Sequence, residues 1–380
     1  MTTHFAKFLL LLLPFCTACR SIRAKKITRL PTVLLESSGL MTEGDTLFWS
    51  HNDGGGAATL YQFDSKGQLL KTIPVCNAQN KDWEELQMDE AGNCYIADFG
   101  NNAQSRKDLT IYKITNFKEK THQNCLEAER IDFFYDNQTA FPPADADKHF
   151  DAEAMVIQPD FIYIFTKDFY SKPYSGKTWV YQIPNLAGKH AAKCVVILNT
   201  DATKNMKGAI TAAAYHAPSG KLALMSYQKL WILRGGLNKA LLDKNAVEYR
   251  FGLSQYAQRE AISFADSCTL YITSERVKNK IGGNLSKVSI CIKQGNTPIL
   301  SLNDTPSRLF RDKSVSNPLS SPTHLHIKRT DGQIVFSKKY DAHEKIALPK
   351  DVITQQGVYF YALFQNETEL LEKGKIVVTQ

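Results

Sequence analysis

No apolar run in this 380-residue chain approaches the ~20 residues of a membrane-spanning helix; the N-terminal one, Phe8 to Phe15, has eight. A multi-span membrane protein is excluded. Sustained helical periodicity is also missing, which excludes a helical bundle. Beyond the first 19 residues there is no CxxC and no His at metal-ligand spacing, so structural zinc is not expected. The chain has no GxSxG motif and no Cys/His pair with local motif support. The run Gly54-Gly55-Gly56 lacks the spacing of a phosphate loop and follows a strand without opening a helix. Neither charge dominates: 46 Lys+Arg against 38 Asp+Glu leave +8, and the aromatics (11%) are not interleaved with basic runs. No nucleic-acid partner is therefore expected. With 43% hydrophobic residues, 21 Gly and 14 Pro, the composition is neither disordered nor collagen-like.

What is present begins with an address. Residues 1–19 read as a secretory signal, with Lys7 as its charged region and Phe8 to Phe15 as its apolar core. The run ends Cys16-Thr17-Ala18-Cys19, which resembles a bacterial lipoprotein signal despite Cys16 at the position usually held by Leu. The resemblance implies lipidation of Cys19 and membrane association through that anchor; ordinary cleavage after Ala18 is the alternative. Arg20 to Lys26 is basic and polar, as a short tether would be. Six cysteines follow, at 76, 94, 125, 194, 268 and 291. An exported chain permits disulfides, but six cysteines allow many pairings and spacing selects none. Cys268 and Cys291 fall on neighbouring predicted strands, while burial as small hydrophobes is an equally good expectation for most of the six.

Short β-branched and aromatic runs bounded by Gly, Asp, Asn and Pro recur throughout, so the chain reads as all-β. One hairpin repeats five times, beginning at Glu36, Asp82, Asp151, Ile210 and Arg259. Its turns centre on Gly44, Gly92, Asp160, Gly220 and Asp266, at spacings of 48, 68, 60 and 46. These approach the ~40–50-residue period of a four-stranded propeller blade. The expectation is a five-bladed β-propeller over residues 20–306, with six blades as the alternative. Lys26 to Leu30 would supply the missing outer strand of the last blade and close the ring, which removes two open sheet edges. Two consecutive β-sandwiches would not account for five similar hairpins.

In a blade, the start of the first strand and the end of the second emerge on one face. The starts carry Glu36, Asp82, Trp83, Glu84, Glu85, Asp151, Glu153, Arg259 and Glu260; the ends carry His51, Asn52, Asp53, Asp98, Asn101, Lys167, Asp168, Glu275 and Arg276. Together they predict a mouth rich in carboxylates at the axis, where ligands commonly bind. The fourth copy departs, with Thr211-Ala212-Ala213-Ala214 in place of acids. The turns at the opposite end read as ordinary turn chemistry. Three roles compete for the mouth: ion pairs and backbone satisfaction between blades, coordination of calcium by Asp, Glu and Asn oxygens, or acid/base hydrolysis by two carboxylates in unequal surroundings. His51 alone reads more readily as a hydrogen-bonded structural residue than as a base.

The segments Glu36-Ser37-Ser38-Gly39-Leu40, His51-Asn52-Asp53-Gly54-Gly55, Asp82-Trp83-Glu84-Glu85 and Ala97-Asp98-Phe99-Gly100-Asn101-Asn102 resemble exported propeller proteins of Bacteroidetes-type bacteria, related to the SdiA-regulated and phytase-like-esterase propellers. The resemblance covers residues 30 to 295 and implies a fold and a location, not a reaction. Calcium-dependent lactonases are a more distant analogy.

Past Asn303-Asp304-Thr305-Pro306 the pattern changes, and a small β-sandwich is expected over 312–380. Asn317-Pro318, Asp331-Gly332-Gln333-Ile334-Val335, Gly357-Val358-Tyr359-Phe360-Tyr361 and Gly374-Lys375-Ile376-Val377-Val378 resemble the successive motifs of the type IX secretion sorting domain, although the usual basic tail is absent. That implies the outer-membrane secretion machinery as a partner and delivery to the cell surface, outer membrane or exterior. The functional expectation is an exported propeller that binds a glycan, peptide or protein partner at its acidic mouth. The alternative is an esterase, lactonase or glycosidase using mouth carboxylates, with calcium as the one cofactor in view.

Overall fold

The strand Phe161–Thr166 is apolar at nearly every position because both its faces are covered. Ile162 and Ile164 enter one hydrophobic cluster, and Tyr163 and Phe165 enter the next. Alternate residues of a strand point to opposite faces, so a continuous apolar run marks a sheet packed on both sides.

The computed structural model describes residues 19–168, 171–200, 208–235, 246–252, 257–276, 283–291, 299–301, 315–316, 322–329, 333–341, 345–346, 357–365 and 369–378. The chain forms two units, Met1–Ile290 and Cys291–Gln380. The first starts with β1 (Cys19–Ile22) and β2 (Lys25–Arg29). Four antiparallel meanders follow, each of four strands. The first is β3 (Ser37–Glu43), β4 (Leu47–Asn52), β5 (Thr59–Asp64) and β6 (Leu69–Pro74). The second is β7 (Trp83–Met88), β8 (Cys94–Asp98), β9 (Leu109–Ile114) and β10 (Glu129–Tyr135). The third is β11 (Ala152–Ile157), β12 (Phe161–Thr166), β13 (Lys177–Pro184) and β14 (Gly188–Asn199). The fourth is β15 (Ala212–His216), β16 (Lys221–Met225), β17 (Lys229–Arg234) and β18 (Val247–Phe251). The last sheet has β19 (Arg259–Phe264), β20 (Thr269–Ser274) and β21 (Asn284–Ser289) from its own stretch, and β2 as its fourth strand, antiparallel to β21.

The first strands close on one another: β3 lies beside β7, β7 beside β11, β11 beside β15, β15 beside β19, and β19 beside β3. Sheets arranged radially about one axis are a propeller. A separate core fills each space between neighbouring sheets. Trp49, Trp83 and Ile96 lie between the first and second, for example, and Leu40, Phe48 and Tyr271 between the last and the first. Truncating one such tryptophan to Ala costs about 3–5 kcal/mol.

Two pairings had no sequence signal. The outer strands β10 and β14 pair in parallel, joining the second and third sheets. β1 pairs in parallel with β18, on the outside of the fourth. The segment expected as a tether is thus corrected: Arg20 lies in β1, and Lys25 and Lys26 lie in β2. The cysteine expectation changes too. Cys76 and Cys125 form a disulfide, Cys268 and Cys291 are both disulfide-bonded, and Cys94 and Cys194 are free.

The second unit has a sheet ordered β22 (Ile299–Ser301), β28 (Glu369–Val378), β27 (Gly357–Gln365), β24 (Thr323–Arg329) and β25 (Ile334–Tyr340). A separate pair joins β23 (Val315–Ser316) to β26 (Lys345–Ile346). β22 runs parallel to β28 and so belongs to the sheet of this second unit. Gly357 to Tyr361 lies directly opposite Val378 to Gly374, so the last two motif segments face each other across one ladder. Asn317-Pro318 and Asp331-Gly332 lie outside the described residues.

Candidate functional site

Four of the five first strands carry a β-bulge at the same place. Each bulge falls between two paired residues: Ser37 and Gly39, Trp83 and Glu85, Ala152 and Ala154, Arg259 and Ala261. The extra residues are Ser38, Glu84, Glu153 and Glu260. A bulge re-aims a side chain out of the alternation; here it brings three glutamates to one end of the axis. β15 has no such shift, in keeping with its small apolar start.

The second strands answer with Asp53, Lys167 and Glu275, each one residue past its strand's last pairing with the first strand. Lys167 Nζ donates to Glu153 Oε1 at 2.9 Å, and both residues are buried. Tyr227 Oη donates to Glu260 Oε1, while Glu260 Oε2 has no hydrogen-bond partner. Ser38 Oγ donates to Glu84 Oε2 at 3.2 Å. Asp53, Asp82 and Glu84 each place a carboxylate oxygen within 4.8 Å of the other two. Asp151 Oδ1 accepts from the Asn101 backbone at 2.8 Å; its Oδ2 has no partner.

Burial, then mutual repulsion, raises these carboxyls. Glu84 stands well above the usual range through burial and the charges of Glu153, Asp53 and Asp82. Glu153 is raised by burial and by Asp151 and Glu260. Burial pushes Asp82 up to about 7, aided by Asp53 and Asp151. Glu275 reaches about 8 through burial, Glu260, Asp53 and Glu36. Burial alone would lower Lys167, but Glu153, Glu260 and Asp151 outweigh it and hold the ammonium charged. The site therefore holds protons or takes up positive charge.

Several predicted mouth residues do other work. Trp83 is fully buried between sheets and donates from Nε1 to Gln79 O at 2.9 Å, so it is no ligand platform. His51 is buried edge-on against Trp83, and burial lowers it to about 4, a neutral ring. Asn52 donates to Val33 O and accepts from the Glu36 backbone, clasping the chain entering β3. Glu36 itself is exposed at the rim. Glu85 is fully buried and accepts from the backbones of Leu86 and Ala213, with a further hydrogen bond from Met155, tying β7, β15 and β11 together. Asp98 pairs with Arg106 at 2.9 Å, and Asn101 also binds Phe150 O and the Arg106 backbone. Asp168 accepts from Ser171 and Ser175, bracing its own loop. Arg259 turns back to Tyr227 O and covers the Phe251 ring at 4.0 Å. Arg276 is partly exposed, and its backbone donates to Leu35 O.

Tyr227 and Ser38 were not among the sequence candidates. Aligning the five hairpins on Gly39, Glu85, Ala154, Ala213 and Ala261 puts Ser38, Glu84, Glu153, Ala212 and Glu260 in one column, the signal that marks the bulge. The opposite end of the axis is also more than turns. A cavity of about 520 Å³ opens there, lined by Met41, Met88, Ile157, Tyr215 and Phe264 from all five first strands.

No protein-family model matches the chain, and a search of curated proteins finds no match. Among solved structures, PorZ, a surface component of the type-IX secretion system of Porphyromonas gingivalis, is similar over 90% of this chain and 45% of its own, at 10% identity and a TM-score of 0.31. This chain thus spans less than half the length of PorZ. A gluconolactonase from Xanthomonas campestris is similar over 64% of this chain and 68% of its own, at 10% identity and a TM-score of 0.34. A glucose dehydrogenase is similar over 71% of this chain and 99% of its own, at 10% identity and a TM-score of 0.38. Likeness at this level carries no ligand or reaction across.

Proposed function

We propose that this chain is an exported, five-bladed propeller that binds a glycan, peptide or protein partner at its acidic mouth. The observation that carries the reading is the gathering of Asp53, Glu84, Asp151, Glu153, Glu260 and Glu275 within electrostatic reach of the buried ammonium of Lys167. Such a surface favours hydroxyl-rich ligands, which acidic acceptors hold by hydrogen bonds, and cationic groups, which relieve the repulsion. The test is a glycan array and a partner pull-down with full-length protein, beside Glu153→Gln and Glu260→Gln. Binding that both substitutions weaken supports the reading; a blank array with no co-purifying partner removes it.

Hydrolysis is the second reading. It rests on Glu260, which burial raises to about 7 and which keeps one oxygen without a partner, as a general acid would. Turnover on an esterase, lactonase or glycosidase panel, lost in Glu260→Gln, would establish it.

The address is proposed on sequence grounds: the signal over residues 1–19, lipidation at Cys19 and a sorting-type sandwich at the C-terminus acting through the secretion machinery. The disulfide-bonded cysteines suit an oxidising compartment. Globomycin sensitivity reads out lipidation. Surface display that survives deletion of residues 312–380 would refute the sorting role.

A further inference from the structure

Three carboxylates in the mouth differ from the others in what surrounds them. Glu153 has Lys167, Asp98 has Arg106, and Glu260 has Tyr227. Asp53, Asp82 and Glu84 make no ion pair among the described residues, although Asp53 and Asp82 are half-buried and Glu84 is buried. Their only donors there are the Gly54 backbone, to Asp53, and Ser38, to Glu84. Charged oxygens so enclosed without a cation are costly, and pairing or metal coordination is the ordinary remedy.

Two glycines keep the space around them open. A Cβ on Gly54 would stand 2.5 Å from Asp82 Oδ1. One on Gly100 would stand 2.5 Å from Asp82 Oδ2 and overlap Glu84 Oε1. Neither glycine has a positive φ, so clearance and not backbone conformation is what the missing side chain supplies. The loops after β4 and β8 thus let the carboxylates of the second sheet's first strand press against backbone. A fourth group comes from the third sheet. Asp151 is fully buried; the backbone of Asn101, next to Gly100, holds its Oδ1, and its Oδ2 is left without a partner while its charge bears on Asp82.

We propose that Asp53, Asp82 and Glu84, beside the unpartnered Oδ2 of Asp151, form a site for one divalent cation of the calcium class. The three oxygens lie within 4.8 Å of one another, a separation close to twice a Ca–O distance of 2.3–2.6 Å, so small side-chain adjustments bring all three onto one ion. An all-oxygen, carboxylate-rich set suits a hard cation and not zinc or copper. This deepens the mouth reading and rests on it: the cation would offset the local negative charge and present open coordination positions to ligand hydroxyls or carboxylates.

The test uses calcium alone, then magnesium alone, titrated calorimetrically into the full chain after chelator dialysis. The expected result is one equivalent of calcium bound below ~1 mM, the weak end of extracellular calcium modules, with a raised melting temperature. Asp82→Asn and Glu84→Gln should each weaken binding ~10-fold or more. Absence of heat and of any thermal shift overturns the site, as does calcium binding that both variants leave unchanged. Should either variant fail to fold, titration of the unaltered protein still decides whether calcium binds, and Asp151→Asn then reads its place. Failure here leaves a ligand captured on the array untouched, whereas a blank array with calcium bound removes the ligand reading and keeps the cation site.

Discussion

Lys167 Nζ lies 2.9 Å from Glu153 Oε1, one at the end of a second strand and the other on the bulge of the first strand beside it. Both are buried, and five further carboxylates feel the same ammonium. Lys167→Met removes the positive charge that these carboxylates share. Breaking a buried pair from one side costs about 3–5 kcal/mol, and the urea midpoint should fall accordingly. An unchanged midpoint would mean that the carboxylates are already neutral.

Glu85 is expected to behave differently from its neighbour Glu84. Its oxygens accept backbone N–H groups from three first strands, so Glu85→Ala should cost about 3 kcal/mol, the penalty of leaving buried donors unmet. Equilibrium unfolding checks this. Unaltered stability with lost ligand binding would instead make Glu85 a ligand contact.

The mouth should also respond to pH. Glu275 moves from 4.5 in the open chain to about 8 in the fold, so the folded state keeps a proton that the unfolded chain releases. Its stabilising contribution is complete below the lower value and is lost as pH rises through the upper one. In chelator, the melting temperature should fall between pH ~5 and ~9, and Glu275→Gln should flatten that fall. An equal slope in the variant would remove Glu275 as a source.

Gly39 marks a close crossing of the first and second sheets. A Cβ there would stand 2.5 Å from Leu86 Cβ and overlap the His51 ring. Gly39→Ala should destabilise by about 1–3 kcal/mol through overpacking, measured by thermal melting. A stable variant would show that the sheets can part at this point.

Much of the architecture was legible because strands covered on both faces write themselves as apolar runs at a regular interval. Lys26 to Leu30 could be placed as the closing strand because the last hairpin group lacked one. The site was legible by region and not by role. Asn52, Asp98 and Asn101 stand at the same strand ends as Asp53 and Lys167, yet they satisfy backbone groups, and sequence alone does not say which way a polar side chain at a strand end turns. Glu84 and Glu85 are adjacent, and only the bulge gives one to the mouth and the other to the strands. Tyr227 carries no sequence signal because the fourth hairpin opens on alanines, which leave the polar end of its partner strand unmarked.

Ring closure by β2 has a mechanical consequence. β1 is held to β18 by four parallel residue pairs, and β2 follows two residues later on β21. Any load applied at Cys19 would pass through β1 and then directly into β2, the strand that completes the last sheet. The proposed lipidation site and the seam of the ring are therefore one segment, and were Cys19 anchored, tension would be felt first as a force opening the circle.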